Sequence, residues 1–180
     1  MPYRHGVYTS EVPTAILPPA NVDASLPVVV GSAPINMGDP TCVNKAVLVS
    51  TYAEAVAAFG FLYDFDNWTL CEAIWSHFVL YNMGPMVLIN IIDPSKAAHK
   101  TAVSAESVVM SGDSGTVANV GALLSTVVVK VSAATKTLGT DYTLAFESTG
   151  KLVISRVTTG SIAAGSTLTV DYTYLKPSGV

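Results

Sequence analysis

Gly112-Asp-Ser-Gly115 has the form of a serine-nucleophile loop, and Ala97-Ala-His-Lys100 could supply its histidine. A serine nucleophile needs that histidine, a buried carboxylate and an oxyanion hole in mutual reach. His99 lies only 15 residues before Ser114, and Thr116 stands where glycine usually follows. Folds that use this loop bring the two residues from separate barrels, so the tetrapeptide reads as a hairpin turn of turn-forming residues. Asp64-Phe-Asp66-Asn67 has the carboxylate spacing that opens a calcium loop. An EF-hand needs glycine at its sixth position and glutamate at its twelfth. Those positions hold Thr69 and Trp75, so the acidic run reads as local capping of a following helix. His5 and His77 have no Cys, His or carboxylate at ligand spacing, and Cys42 and Cys71 are too few for a zinc site or a disulfide scaffold. Asn67-Trp-Thr69 is a glycosylation sequon in form only, if the chain stays in a cytoplasm. There is no phosphate loop and no dinucleotide fingerprint. The expectation is a protein that is not an enzyme, with no catalytic residue, no cofactor and no metal.

The elements that carry these residues follow from composition. Of 180 residues, half are hydrophobic and 12% are charged. A disordered chain lacks the apolar surface to offset its ordering entropy, so this one folds. The longest apolar runs, Leu26–Val30 and Met86–Ile92, are strand-sized and far short of the ~20 residues of a membrane helix. Met1-Pro-Tyr-Arg-His5 lacks a signal peptide's apolar core, so the chain is expected to be made and kept in a cytoplasm. A net charge of −4 argues against nucleic acid as the main partner. Composition breaks near Pro94. Residues 1–94 hold nine of the ten prolines and two Lys/Arg against eight Asp/Glu, a net of −6. Residues 95–180 hold seven Lys/Arg against five Asp/Glu, a net of +2, and are dense in Val, Thr, Ser and Gly.

Prolines 2, 13, 18, 19 and 27 make residues 1–26 an extended segment. Within it, Gly6–Val12 alternates like a strand, with Val7, Thr9 and Glu11 on one side and Tyr8, Ser10 and Val12 on the other. Alternation alone fits either a first strand of the domain's own sheet or an arm that adds to another subunit. Leu26–Pro34, Ala46–Ser50 and Met86–Ile92 read as strands covered on both faces. Thr51-Tyr-Ala-Glu54 is a capping box that opens a short helix, with Tyr52, Ala55, Val56 and Phe59 as its apolar stripe and Gly60 as its stop. A longer helix is expected over Trp68–Met83, capped by Asn67 or Thr69 and ended by Gly84-Pro85. Its stripes are Leu70, Ile74, Phe78 and Cys71, Trp75, Val79. Residues 27–94 are thus a partial α/β layer of three strands and two helices, a thin sheet for its length.

Residues 95–180 read as an all-β sandwich or small barrel, which makes the chain α+β. Thr167–Tyr174 alternates, with Leu168, Val170, Tyr172 and Tyr174 inward. Tyr142, Leu144 and Phe146 do the same, and glycines at 139, 150, 160 and 165 punctuate the strands.

The first unit resembles the tail sheath proteins of contractile phage tails and related injection systems. Four segments carry the likeness in the family's order. His5-Gly-Val-Tyr-Thr-Ser-Glu-Val12 is similar to the family's opening, without its proline. Val28-Val-Val-Gly-Ser-Ala-Pro34 is similar to its first core strand and Gly-x-Ala-Pro turn. Val47–Tyr52, continued through Phe59-Gly60, matches its strand and capped helix. Leu70–Tyr81, Asn82-Met-Gly84 and Val87–Ile91 resemble its next helix, its Asn-Gly-Gly corner less one glycine, and the following strand.

The resemblance implies a structural subunit that polymerises as stacked rings around an inner tube and contracts to drive the tube through a cell envelope. It implies as partners copies of the chain itself, the inner tail tube protein, and baseplate and terminator proteins, without nucleic acid or membrane insertion. The place implied is the virion's tail sheath, assembled in the host bacterial cytoplasm. Residues 95–180 would be the family's β-rich insertion, and the chain a portion of a longer subunit. Neighbours in the family stay linked by exchanged strands. The resemblance therefore favours the arm, and assigns strand exchange to Tyr3, Gly6, Val7, Tyr8, Thr9, Glu11 and Val12. The alternatives are a carbohydrate- or cell-binding β-module and another phage tail component.

Overall fold

A computed structural model of the chain describes residues 26–179. The segment 1–25, with all seven expected strand-exchange residues, lies outside the described residues. The protein is α+β; the described residues form two α-helices and ten strands in three sheets.

The first unit runs β1 (Val28–Gly31), β2 (Ala46–Val49), α1 (Tyr52–Phe59), α2 (Thr69–Ile74) and β3 (Met86–Asn90). This is the expected order. The sheet order is β1-β3-β2, with β1 parallel and β2 antiparallel to the central β3. Thr51 Oγ1 accepts from Glu54 N at 3.2 Å, and the Glu54 carboxylate reaches back to Ser50 N at 2.8 Å. These bonds satisfy amides that an uncapped helix start leaves orphaned. Gly60 stops α1 at φ 74°, donating to Val56 O; a side chain there would strike the Pro34 carbonyl.

The second helix departs from expectation in length and cap. Neither Asn67 nor Thr69 caps it; Trp68 holds the N-cap position without a side-chain bond. Thr69 is already helical, and its amide donates to Ser32 Oγ at 3.0 Å while its hydroxyl accepts from Ser32 N at 3.0 Å. The cap thus comes from the loop after β1. After Ile74 the helix widens into π-type turns over Trp75–Leu80 and stops there, short of Met83. Leu70, Ile74 and Phe78 are buried as expected, whereas Val79 is exposed.

Asn90, at the end of β3, is fully buried. Its Oδ1 accepts from Ala33 N and Ile92 N, both at 3.1 Å, and its Nδ2 donates to Ile92 O at 3.4 Å. One amide therefore pins the loops that leave both parallel strands.

The second unit holds β4 (Lys100–Val109), β5 (Ser114–Val120), β6 (Val128–Val131), β7 (Ala134–Thr135), β8 (Tyr142–Phe146), β9 (Lys151–Arg156) and β10 (Thr167–Leu175). They form two sheets, β4-β10-β6-β7 and β5-β9-β8, whose inner faces share one core that includes Val117, Leu152, Ile154, Leu168, Val170 and Tyr172. Of the two expected forms it is the sandwich. Leu168, Val170 and Tyr172 are buried and Tyr174 packs against the same core, as the alternation requires. Leu175 breaks the alternation, turning into the core of the first unit.

The ladder between β4 and β10 slips between Val170 and Tyr172, where Ser104 and Ala105 oppose Asp171. Ala105 sits at φ 56°, and its amide donates to the Asp171 carboxylate at 2.7 Å. The other Asp171 oxygen pairs with Lys130 at 2.6 Å. An L-residue in that conformation costs roughly 1–2 kcal/mol, against about 0.5–1 kcal/mol for glycine's added freedom in a strand. Ala105→Gly is expected to raise unfolding free energy by about 0.5–1 kcal/mol, read from urea midpoints. A loss would mean that the bulge is not strained.

Glu106, next in the chain, turns inward and ties the sheets together. Its carboxylate accepts from Tyr172 Oη at 2.6 Å and from Ala118 N at 2.7 Å, and Asn119 Nδ2 donates to Tyr172 Oη at 2.8 Å. Burial first, and the bond to Glu106 second, push the Tyr172 phenol up to about 12.

Asp141 braces two turns, accepting from Thr137 N at 2.8 Å and from Ser161 N and Oγ at 2.9 and 2.7 Å. These bonds, the Thr137 amide foremost, hold its carboxyl down at about 2. Asp39, Asp93 and Asp171 are lowered as well, by hydrogen bonds led by Thr41, Ser95 and Lys130 respectively. A lowered carboxyl stabilises fully above its unfolded pKa of about 3.9 and loses that contribution as pH falls through the folded value. The thermal midpoint should therefore hold steady from neutrality to about pH 4 and fall between about pH 4 and pH 2. Asp141→Asn should flatten some of that fall; an unchanged profile would remove Asp141 from the account.

Candidate interaction surface

The helices cover one face of the three-stranded sheet. Val49, Met86 and Leu88 point into that side and are buried. The opposite face carries Val28 and Val30 from β1, Val87 and Ile89 from β3, and Ala46 and Leu48 from β2, aligned by the register pairs Val28↔Val87, Val30↔Ile89, Leu48↔Val87 and Ala46↔Ile89. Nothing among the described residues covers them: Val28 is 60% exposed, Val30 57% and Leu48 59%. This corrects the expectation that these strands are covered on both faces. A contiguous apolar sheet face is the kind of surface that marks an interaction site.

Among the described residues both outer edges of this sheet are unpaired as well. Val87 N donates to Pro27 O at 2.8 Å and Ile91 N to Gly31 O at 3.0 Å. Backbone groups alternate sides along a strand, so residues 27, 29 and 31 face β3, and Val28 and Val30 direct their N–H and C=O outward. On the other flank Asn44 N donates to Asn90 O at 2.9 Å. The even-numbered residues of β3 therefore face β2, and Ala46 and Leu48 turn their backbone groups away from it. An edge of this kind is a template for a further strand.

The residues singled out for chemistry are engaged elsewhere. Gly112-Asp-Ser-Gly115 is the turn between β4 and β5, with Ser111 N donating to Ser114 O at 2.8 Å and Asp113 paired to Arg156 at 2.7 Å. His99 Nδ1 accepts from Asp93 N at 2.9 Å in the linker between the units. Asp64 O accepts from Trp68 N, and its carboxylate accepts from Asn67 Nδ2 at 2.9 Å, a local turn in place of the expected side-chain cap on α2. Among the described residues no three His, Cys, Asp or Glu converge as a metal site would need. Cys71 is buried, which pushes its thiol up to about 11, well away from a nucleophilic thiolate at neutral pH.

In open α/β sheets ligands sit beyond the carboxyl ends of the strands. A cleft of about 370 Å³ lies there, lined by Ser32, Asn67, Thr69, Ile91, Pro177 and Ser178 among others. Ser32 and Thr69 spend their polar groups on each other, and Ser32 Oγ donates to Asn67 O at 2.8 Å. No helix among the described residues is long and apolar enough to cross a membrane.

No protein-family model, no curated protein and no solved structure matches this chain. The open face went unread in the sequence. Its one signal was the thinness of a sheet of three strands.

Proposed function

We propose that the chain is a structural subunit of a contractile tail sheath, assembling with copies of itself around an inner tail tube and bounded by baseplate and terminator proteins. The observation that supports this most is the sheet whose one apolar face is open and whose two edges are unpaired among the described residues. A subunit that polymerises needs apolar surface to bury and backbone groups to pair. In this reading energy is stored in contacts between subunits at assembly and released when the lattice repacks. Strand addition suits that task, because backbone hydrogen bonds persist through a rigid-body rotation while side-chain interfaces rearrange. The arm at Tyr3–Val12 would supply the added strand to the edge of a neighbouring sheet. The β-sandwich enters and leaves through adjacent strands, as a domain carried on the sheath exterior would: Lys176 N donates to His99 O at 2.8 Å.

Negative-stain microscopy and sedimentation of the concentrated protein test the proposal. Rings or hollow tubes are expected. Val7→Pro removes a ladder donor and should leave the melting of the isolated subunit unchanged while abolishing polymerisation. A monomer at every concentration, with specific binding on a glycan array, would favour the carbohydrate-binding alternative instead. That alternative wants exposed aromatics on the β-strands, whereas Tyr172 is buried and Tyr174 packs on the sandwich core.

A further inference from the structure

A second surface of the α/β unit stands apart from the open sheet face. Phe61 is the hub of an aromatic cluster, with ring centroids 5.5 Å from Tyr52, 4.9 Å from Tyr63 and 6.3 Å from Trp75. Tyr63 and Trp75 meet edge to face at 5.1 Å and 72°. The cluster is not sealed: Trp75 is half-buried, and Tyr63 is 67% exposed. Exposed aromatics of this size gain from a partner that covers them.

Two carboxylates neighbour the cluster along the chain. Asp64 lies between Tyr63 and Phe65 in the chain, and its charge is felt at Cys71 on α2. Glu72 is exposed one helical turn before Trp75, on the same side of the helix. Between Lys45 and Lys96 the sequence has no Lys or Arg. The ion pairs among the described residues, Lys130–Asp171 and Arg156–Asp113, both belong to the sandwich. Among the described residues neither Asp64 nor Glu72 is ion-paired.

We propose that Tyr63 and Trp75, flanked by Asp64 and Glu72, form a docking site for an arginine- or lysine-bearing segment of a partner protein. A guanidinium or ammonium laid over the exposed ring gains from the ring quadrupole and from the carboxylates together. The edge-to-face packing of Tyr63 on Trp75 does not offer the flat paired platform that would favour a stacked sugar. This site is independent of the sheath reading, which rests on the open sheet face.

Trp68 is buried at 2% exposure, so a change in tryptophan fluorescence on titration reports on Trp75. The probe is an acetylated hexa-arginine peptide, with hexaglutamate and a neutral hexasaccharide as controls. The arginine peptide is expected to saturate the signal with an affinity that falls as salt rises. Tyr63→Ala should weaken it about fivefold and Tyr63→Phe much less, since the ring is retained. Asp64→Asn should weaken it too, whereas Asp113→Asn, in the turn at the far end of β4, should not. Tyr63 is exposed, so its variants are expected to fold, with circular dichroism as the check. Binding indifferent to Tyr63→Ala, equal weakening by Asp113→Asn, or saturation by the hexasaccharide in place of the peptide would overturn the proposal.

Discussion

Replacing Asn90 with leucine is expected to cost about 4 kcal/mol of stability and lower the thermal midpoint by roughly 10 °C. The side chain is fully buried and serves as the shared acceptor for Ala33 N and Ile92 N. Leucine is close enough in size that cavity formation contributes little, so the loss isolates the polar term. Two buried amides left without a partner cost about 1–3 kcal/mol each. The same change frees the loop after β1, where Ser32 caps α2. Hydrogen exchange should therefore show the amides of Ser32, Ala33 and Thr69 losing protection together. A loss below about 1 kcal/mol, with exchange unchanged, would mean that water reaches these groups and Asn90 is dispensable.

The second large effect concerns assembly rather than folding. Val28→Asp with Leu48→Asp places two charges on the open face, one on each edge strand. Both positions are more than half exposed, so each change should cost the subunit no more than about 1 kcal/mol of strand preference. Burying those charges against a neighbour would cost several kcal/mol each, enough to block any contact that uses this face. The double variant should melt near the parent's midpoint and sediment as a monomer under conditions where the proposed function has the parent form rings or tubes. If it polymerises as well as the parent, the open face is not the assembly surface.

Much of this architecture was legible before the structure. The strand–strand–helix–helix–strand order followed from apolar runs and from the Thr51–Glu54 box, and the sandwich from the alternation of Leu168, Val170 and Tyr172. Those signals are local, and local bonds bear them out. What was misread depends on residues distant in sequence. Thr69 reads as a cap, but the hydroxyl that serves its amide is Ser32, 37 positions earlier. The open face eluded sequence reading for a more general reason. A continuous apolar run looks the same whether its second face is covered within the subunit or available to a neighbour. The expected strand-exchange residues, Tyr3 to Val12, lie outside the described residues.

The adjacency of His99 and Lys176 has a mechanical corollary. Tension applied to the sandwich through these two points reaches β4 and β10 at the same end of their shared ladder, where Leu175 opposes Lys100. The geometry is that of a zipper: hydrogen bonds break in succession, each bearing the whole force in turn, instead of sharing it as strands pulled from opposite ends do. The sandwich should thus yield at low force in a single-molecule pulling experiment that grips it at residues 99 and 176, well below what its core size alone would suggest. Load passing through β1, β2 and β3 bypasses it altogether. In the proposed sheath, a stroke carried along these three-stranded sheets would leave the sandwich undeformed.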